Sequence, residues 1–195
     1  MKVSGNSEFK HPDPGTVSAI CTRIIDLGTQ ETSYKGEAKK ARKVLVAWEI
    51  AQFMDDGRPF LVSQRYTRSI HPKAILSQHL ESWRGRAFTE EERAGFDLEK
   101  VLGAPCLLTL VRDGDYTNVK GVAKLVKGMA ALEPAGPLTL LDLDNFSAEV
   151  YAVLSDNLKA TIAKSPEYKK AVGQEVPEGG SSHGGEFSQD ADIPF

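Results

Sequence analysis

From Lys43 the chain reads KVLVAWEIAQFM (43–54), DDGRP (55–59) and FLVSQRYTR (60–68). Two runs rich in Val, Ile, Phe, Trp and Tyr flank a short polar break, and such side chains suit a pleated, half-buried surface. Asp56-Gly57 supplies the positive-φ position that a tight turn requires. Successive side chains of a strand point to opposite faces. Val44, Val46, Trp48 and Ile50 therefore share one face of the first run, and Leu45, Ala47, Glu49, Ala51 and Phe53 the other. In the second run Phe60, Val62, Gln64, Tyr66 and Arg68 oppose Leu61, Ser63, Arg65 and Thr67. Neither face is uniformly apolar, and aromatic rings alternate with arginines. The mixture suits a binding platform, and an ordinary barrel strand has the same appearance.

The chain outside this hairpin is ordinary in composition. Its 195 residues are 41% hydrophobic and 26% charged, which fits one core-bearing domain with a tail. It has no apolar run long enough to cross a membrane and no apolar segment near its first residues, so a cytoplasmic location is expected. Cys21 and Cys106 each lie in a strand-like run and are expected as buried free thiols. With four scattered His they form no metal-ligand spacing, so neither a metal nor a cofactor is expected. The net charge of −3 hides a division. Residues 1–127 hold 20 Lys+Arg and 16 Asp+Glu, a balance of +4, and residues 128–195 hold 4 and 11, a balance of −7. A basic body with an acidic end points to a polyanion partner for the body and a separate role for the end.

Residues 1–15 read as a flexible arm. Thr16–Thr29 is a strand with imperfect alternation, which implies a bulge. Gln30–Arg42 reads as a polar, basic loop. Pro72–Arg84 is a helix: Ile75, Leu76, His79, Leu80 and Trp83 recur at three- and four-residue spacing, and Gly85 ends it. Thr89 followed by Glu92 is a capping pattern, and Asp97–Leu102 a short helical piece. Ala104–Arg112 and Tyr116–Lys127 are the last two strands, with Tyr116, Asn118, Lys120, Val122 and Lys124 on one face. Residues 129–172 form an extension. In it Ser147–Ala163 spaces Val150, Tyr151, Leu154, Leu158 and Ile162 as one amphipathic helix, and residues 173–195 are expected to be a disordered acidic tail. Five antiparallel strands with a helical insert between the third and fourth match the OB-fold barrel, here over residues 16–128. An unrelated five-stranded α+β fold gives the same order.

The last residues are Gln189-Asp190-Ala191-Asp192-Ile193-Pro194-Phe195. This end can place a ring in an apolar pocket while its carboxylate meets a base, with Pro194 limiting the entropy lost. It resembles the acidic tip of bacterial single-stranded DNA-binding proteins, which end in Asp-Asp-Asp-Ile-Pro-Phe after a Gly-rich linker; Ala191 replaces the middle acid. The body resembles phage-encoded single-stranded DNA-binding proteins with an OB-fold and a helical insert, through its strand order and the WEI (48–50) and QRYTRS (64–69) stretches. The resemblance implies a non-catalytic coat on single-stranded DNA during phage replication, recombination and repair, acting in the host cytoplasm. Asp190, Asp192, Ile193, Pro194 and Phe195 would recruit replication and repair proteins. Proteins of this kind commonly use two or more grooves, so a homodimer is expected.

Single strands are held by cations along the phosphates and by aromatic rings stacked on bases. The phosphate candidates are Lys39, Lys40, Arg42, Lys43, Arg65, Arg68, Lys120 and Lys124. The stacking candidates are Trp48, Tyr66, Tyr34 and Tyr116. Trp83 reads as core, and Phe53 and Phe60 as packing around the turn. Trp48 reads equally as core beside Val46 and Ile50. No enzyme is expected: His71, His79 and Glu81 lack a nucleophile or metal set, and the glycines form no phosphate loop. The rival readings are a strand-annealing or recombination-mediator protein and, behind it, a nuclease with an unrecognised site.

Overall fold

The computed structural model describes residues 10–34, 37–114 and 116–174. It is mainly β. The strands are β1 (Gly15–Tyr34), β2 (Glu37–Phe53), β3 (Pro59–Thr67), β4 (Pro105–Asp113), β5 (Tyr116–Lys124) and the short β6 (Thr139–Leu141). The helices are α1 (Ile75–Arg84), α2 (Glu90–Ala94), α3 (Ala148–Ala152), α4 (Asp156–Ile162) and α5 (Pro166–Ala171), with a 3₁₀ turn at Leu98–Val101. Antiparallel ladders join the strands in the order β3-β2-β1-β4-β5, and β6 pairs parallel with β1 at Arg23–Ile25. The sheet is not closed: β3 and β5 approach each other without a ladder, and α1 packs against both.

Alternation along β2 explains the two-sided core. Val44, Val46, Trp48 and Ile50 join Phe60, Val62 and Tyr66 of β3 and Leu76, Leu80 and Trp83 of α1 in the main core. Leu45 and Ala47, on the other face, pack with Ile25 and Leu27 of β1 and with Leu141, Leu143, Leu154 and Ile162. The chain after β5 is thus a cover on the back of β1 and β2. The helix ends follow the capping signals: Gly85 is left-handed at φ 70°, and Thr89 and Glu92 form a reciprocal capping box. Helix α1 begins three residues after Pro72. Cys21 and Cys106 are buried free thiols, and burial pushes Cys21 up to about 12. Among the described residues no helix is long and apolar enough to cross a membrane.

Four expectations are corrected. The polar loop Gln30–Arg42 is instead a continuation of β1 and β2, paired from Gln30↔Ala41 to Tyr34↔Glu37. Residues 30–42 carry no apolar alternation, so their sequence reads as loop. The single helix Ser147–Ala163 is two, broken between Ala152 and Asp156. Ser147 caps the first through Val150 N–H, and Ser155-Asp156 restarts the second; the predicted apolar face still meets the second core. The arm is not loose throughout: Pro12 O accepts from Arg112 and Thr117, Asp13 N–H donates to Gln52, and Lys10 pairs with Asp55. Residues 1–9 and 175–195 lie outside the described residues. Finally, the last strand does not present one face. Thr109↔Gly121 and Leu110↔Val119 leave Lys120 as an extra, bulged residue. Tyr116 and Asn118 face outward, whereas Val122 is in the core and Lys124 pairs opposite Cys106.

Candidate nucleic-acid interface

Two stacking candidates are removed by burial. Trp48 is 1% exposed, its ring 6.1 Å from that of Trp83 between centroids. Its indole N–H is buried and has no hydrogen-bond partner among the described residues. Tyr66 is also in the core: its hydroxyl lies 2.9 Å from His79 Nδ1, and burial raises its pKa. Both belong to the face whose apolar neighbours outnumber its polar ones, and hydrophobic burial decided the face. Tyr34 ends β1, and its side chain lies outside the described residues, as do Asp190, Asp192, Ile193, Pro194 and Phe195. Tyr116 is 73% exposed and available to a base. Phe53 was read as packing but is 57% exposed. Its neighbour Met54 packs on the main core, so Phe53 faces away from it. The signal was in the alternation, which places Phe53 with Glu49 and Ala51.

Arg42, half-buried, and Arg68, exposed, are both engaged by carboxylates. They continue the core-side faces of β2 and β3 and meet the buried Asp26 of β1. Asp26 Oδ2 accepts from Arg42 Nη2 at 2.5 Å and from Arg68 Nη1 at 3.0 Å, and Oδ1 accepts from Gly28 N–H. Asp144 adds a contact of 2.9 Å to Arg42, and Asp142 lies 3.9 Å from Arg42 and 3.8 Å from Arg68. The Arg42 hydrogen bond holds the Asp144 carboxyl below its ordinary range. Burial lowers the Arg42 pKa, but the bonds from Asp26 and Asp144 outweigh it and raise it overall. A buried carboxylate needs such partners. Sequence spacing gave no hint of Asp26, because its partners lie on three other segments. The three carboxylates come close enough to hold a cation, and the Arg42 and Arg68 guanidinium groups balance two of their three charges.

The remaining cations divide by element. Lys39 and Lys40 lie on the ribbon, Lys40 3.2 Å from Glu31. Lys43 Nζ donates to Thr67 Oγ1 at 2.8 Å across the β2–β3 ladder. Arg65 stands opposite Leu45 on the same face and is exposed. Among the described residues no carboxylate pairs with Lys43, Arg65, Lys120 or Lys124. The open outward strip therefore runs along β3: Lys43, Thr67, Arg65, Ser63 and Leu61, with Phe53 at its turn end. Glu49 lies opposite Leu61 and accepts a hydrogen bond from Ala135 N–H. On β1 and β2 the same face is covered by β6 and α3–α5. Tyr116 lies at the same end of the sheet as Phe53, since residues 12 and 13 bridge Gln52 to Thr117. Models of known protein families give no match to this chain, and no curated protein sequence matches it.

Proposed function

We propose that this chain is an OB-fold protein that coats single-stranded DNA without sequence preference and recruits replication and repair proteins through its last six residues. The strand path β3-β2-β1-β4-β5 with a helix inserted between β3 and β4 carries the reading. This order is the one expected of an OB barrel, and α1 lies where the β3–β5 seam would close. The strip of Lys43, Arg65, Leu61 and Phe53 lies on β2 and β3, where such folds bind strands, and it offers both charge and apolar area. The acidic, Phe-terminated end supports the recruiting role. In this reading the protein acts by binding.

Both tryptophans are buried, so intrinsic fluorescence is a poor probe of bases here. Anisotropy of a dye-labelled dT oligomer, titrated at several salt concentrations, is the direct test. Affinity should fall with salt. Phe53→Ala and Tyr116→Ala should each cost about 1–3 kcal/mol of binding. Arg65→Ala should lower the salt slope by about 0.7. Absence of binding to dT, dA and duplex at low salt would sink the proposal.

A further inference from the structure

The main core is not sealed on every side. Between α2, the 3₁₀ turn, the start of α1 and β6 lies a cleft of about 610 Å³. Its floor is apolar, formed by Ile24, Val44, Leu76, Phe96, Leu98 and Leu140. Phe96, Leu98 and Leu140 are only half-buried, so part of the core surface stays wet there. The rim is acidic, with Asp97, Glu99 and Asp142 around it and Asp26 behind. Its two arginines are engaged: Arg68 faces Asp26, Asp142 and Asp144, and Arg93 donates to Ile70 O and Glu81. Among the described residues no cation pairs with Asp97 or Glu99.

We propose that this cleft docks a segment of a partner protein in which an apolar side chain is flanked by Lys or Arg. The floor takes the apolar anchor, and burying it removes the wet edge of the core from water. Asp97 and Glu99 then meet the flanking cations. A phosphodiester strand is disfavoured, because the carboxylates at this rim outnumber the arginines and both arginines are committed. The site lies on the core side of the sheet end, away from the Phe53–Arg65 strip, and does not depend on that strip binding DNA.

The test uses the full chain and a fluorescent, amidated hexapeptide, Lys-Lys-Leu-Phe-Lys-Lys. Lys-Lys-Ser-Ser-Lys-Lys keeps the charge without the anchor, and Glu-Glu-Leu-Phe-Glu-Glu keeps the anchor with the wrong charge. The first should bind at least tenfold more tightly than either. Asp97→Asn with Glu99→Lys, both exposed positions, should weaken it about tenfold without shifting the melting temperature. A photoreactive version should cross-link within residues 96–99. Equal binding of the Ser-Ser peptide would mean that charge alone suffices and would overturn the proposal. So would cross-links elsewhere, or displacement of the peptide by a dT oligomer, which would give the cleft to nucleic acid.

Discussion

His79 lies on α1, the helix packed against both β3 and β5, which no ladder joins. Its Nδ1 lies 2.9 Å from the Tyr66 hydroxyl, so the imidazole ties α1 to β3. Burial holds its pKa below the ordinary value of 6.5. The unfolded chain therefore takes up this proton first. The stabilisation is complete above about pH 6.5 and is lost as pH falls toward the folded pKa. Thermal melting between pH 7 and 5.5 should show a falling midpoint, and His79→Gln should flatten it; parallel curves would refute the link. Glu92 acts in a separate window. The Thr89 N–H, Arg86 and Arg84 hold it at about 2, so its contribution fades only below pH 4.5. At Trp48 the expectation is for binding rather than folding: Trp48→Phe should leave dT affinity within about twofold, since a core ring offers no face to a base. Alternation grouped Trp48 with Val46 and Ile50. Which group turns inward depends on what packs against it, here α1.

The elements after β5 hold the back of the sheet. Gly28 is where α5 meets β1: its φ is +68°, and an added Cβ would collide with the Ser165 side chain. Beside it Glu167 accepts from Thr29 N–H at 2.8 Å and from the Thr29 hydroxyl at 2.5 Å. Gly28→Ala should cost about 2–4 kcal/mol, from left-handed strain plus overpacking. Ile162→Ala removes a fully buried side chain and should cost about 2–5 kcal/mol. Urea denaturation measures both. Hydrogen exchange should then rise first at Leu45 and Ala47 if the cover loosens separately from the main core. The apolar spacing from Val150 to Ile162 was legible in the sequence. The break at Val153–Ser155 was not, because a short interruption leaves the three- and four-residue spacing nearly intact.

For the whole molecule the governing feature is charge division, +4 over residues 1–127 against −7 over the rest. Part of that opposition is used inside the fold, where Asp142 and Asp144 meet Arg42 and Arg68. The last residues add further acid. Under the coat reading they compete with DNA for the basic face, so removing residues 186–195 should tighten dT binding at low salt and have little effect at high salt. Unchanged low-salt affinity would refute that competition. Deleting Phe195 alone should leave dT affinity intact and abolish capture of replication proteins by the immobilised chain.

Local rules were enough for most elements: the Asp-Gly turn, the Gly85 stop, the Thr89–Glu92 box and five main strands follow from neighbouring residues. They were not enough for the site. The ion pairs of Arg42 and Arg68 were not legible because their partners, Asp26, Asp142 and Asp144, are distant in sequence. Trp48 and Tyr66 read as platform because alternation defines two faces without saying which one α1 will cover. Phe53 read as packing for the same reason. Periodicity fixes which side chains travel together, whereas burial and charge pairing depend on segments brought together only by folding.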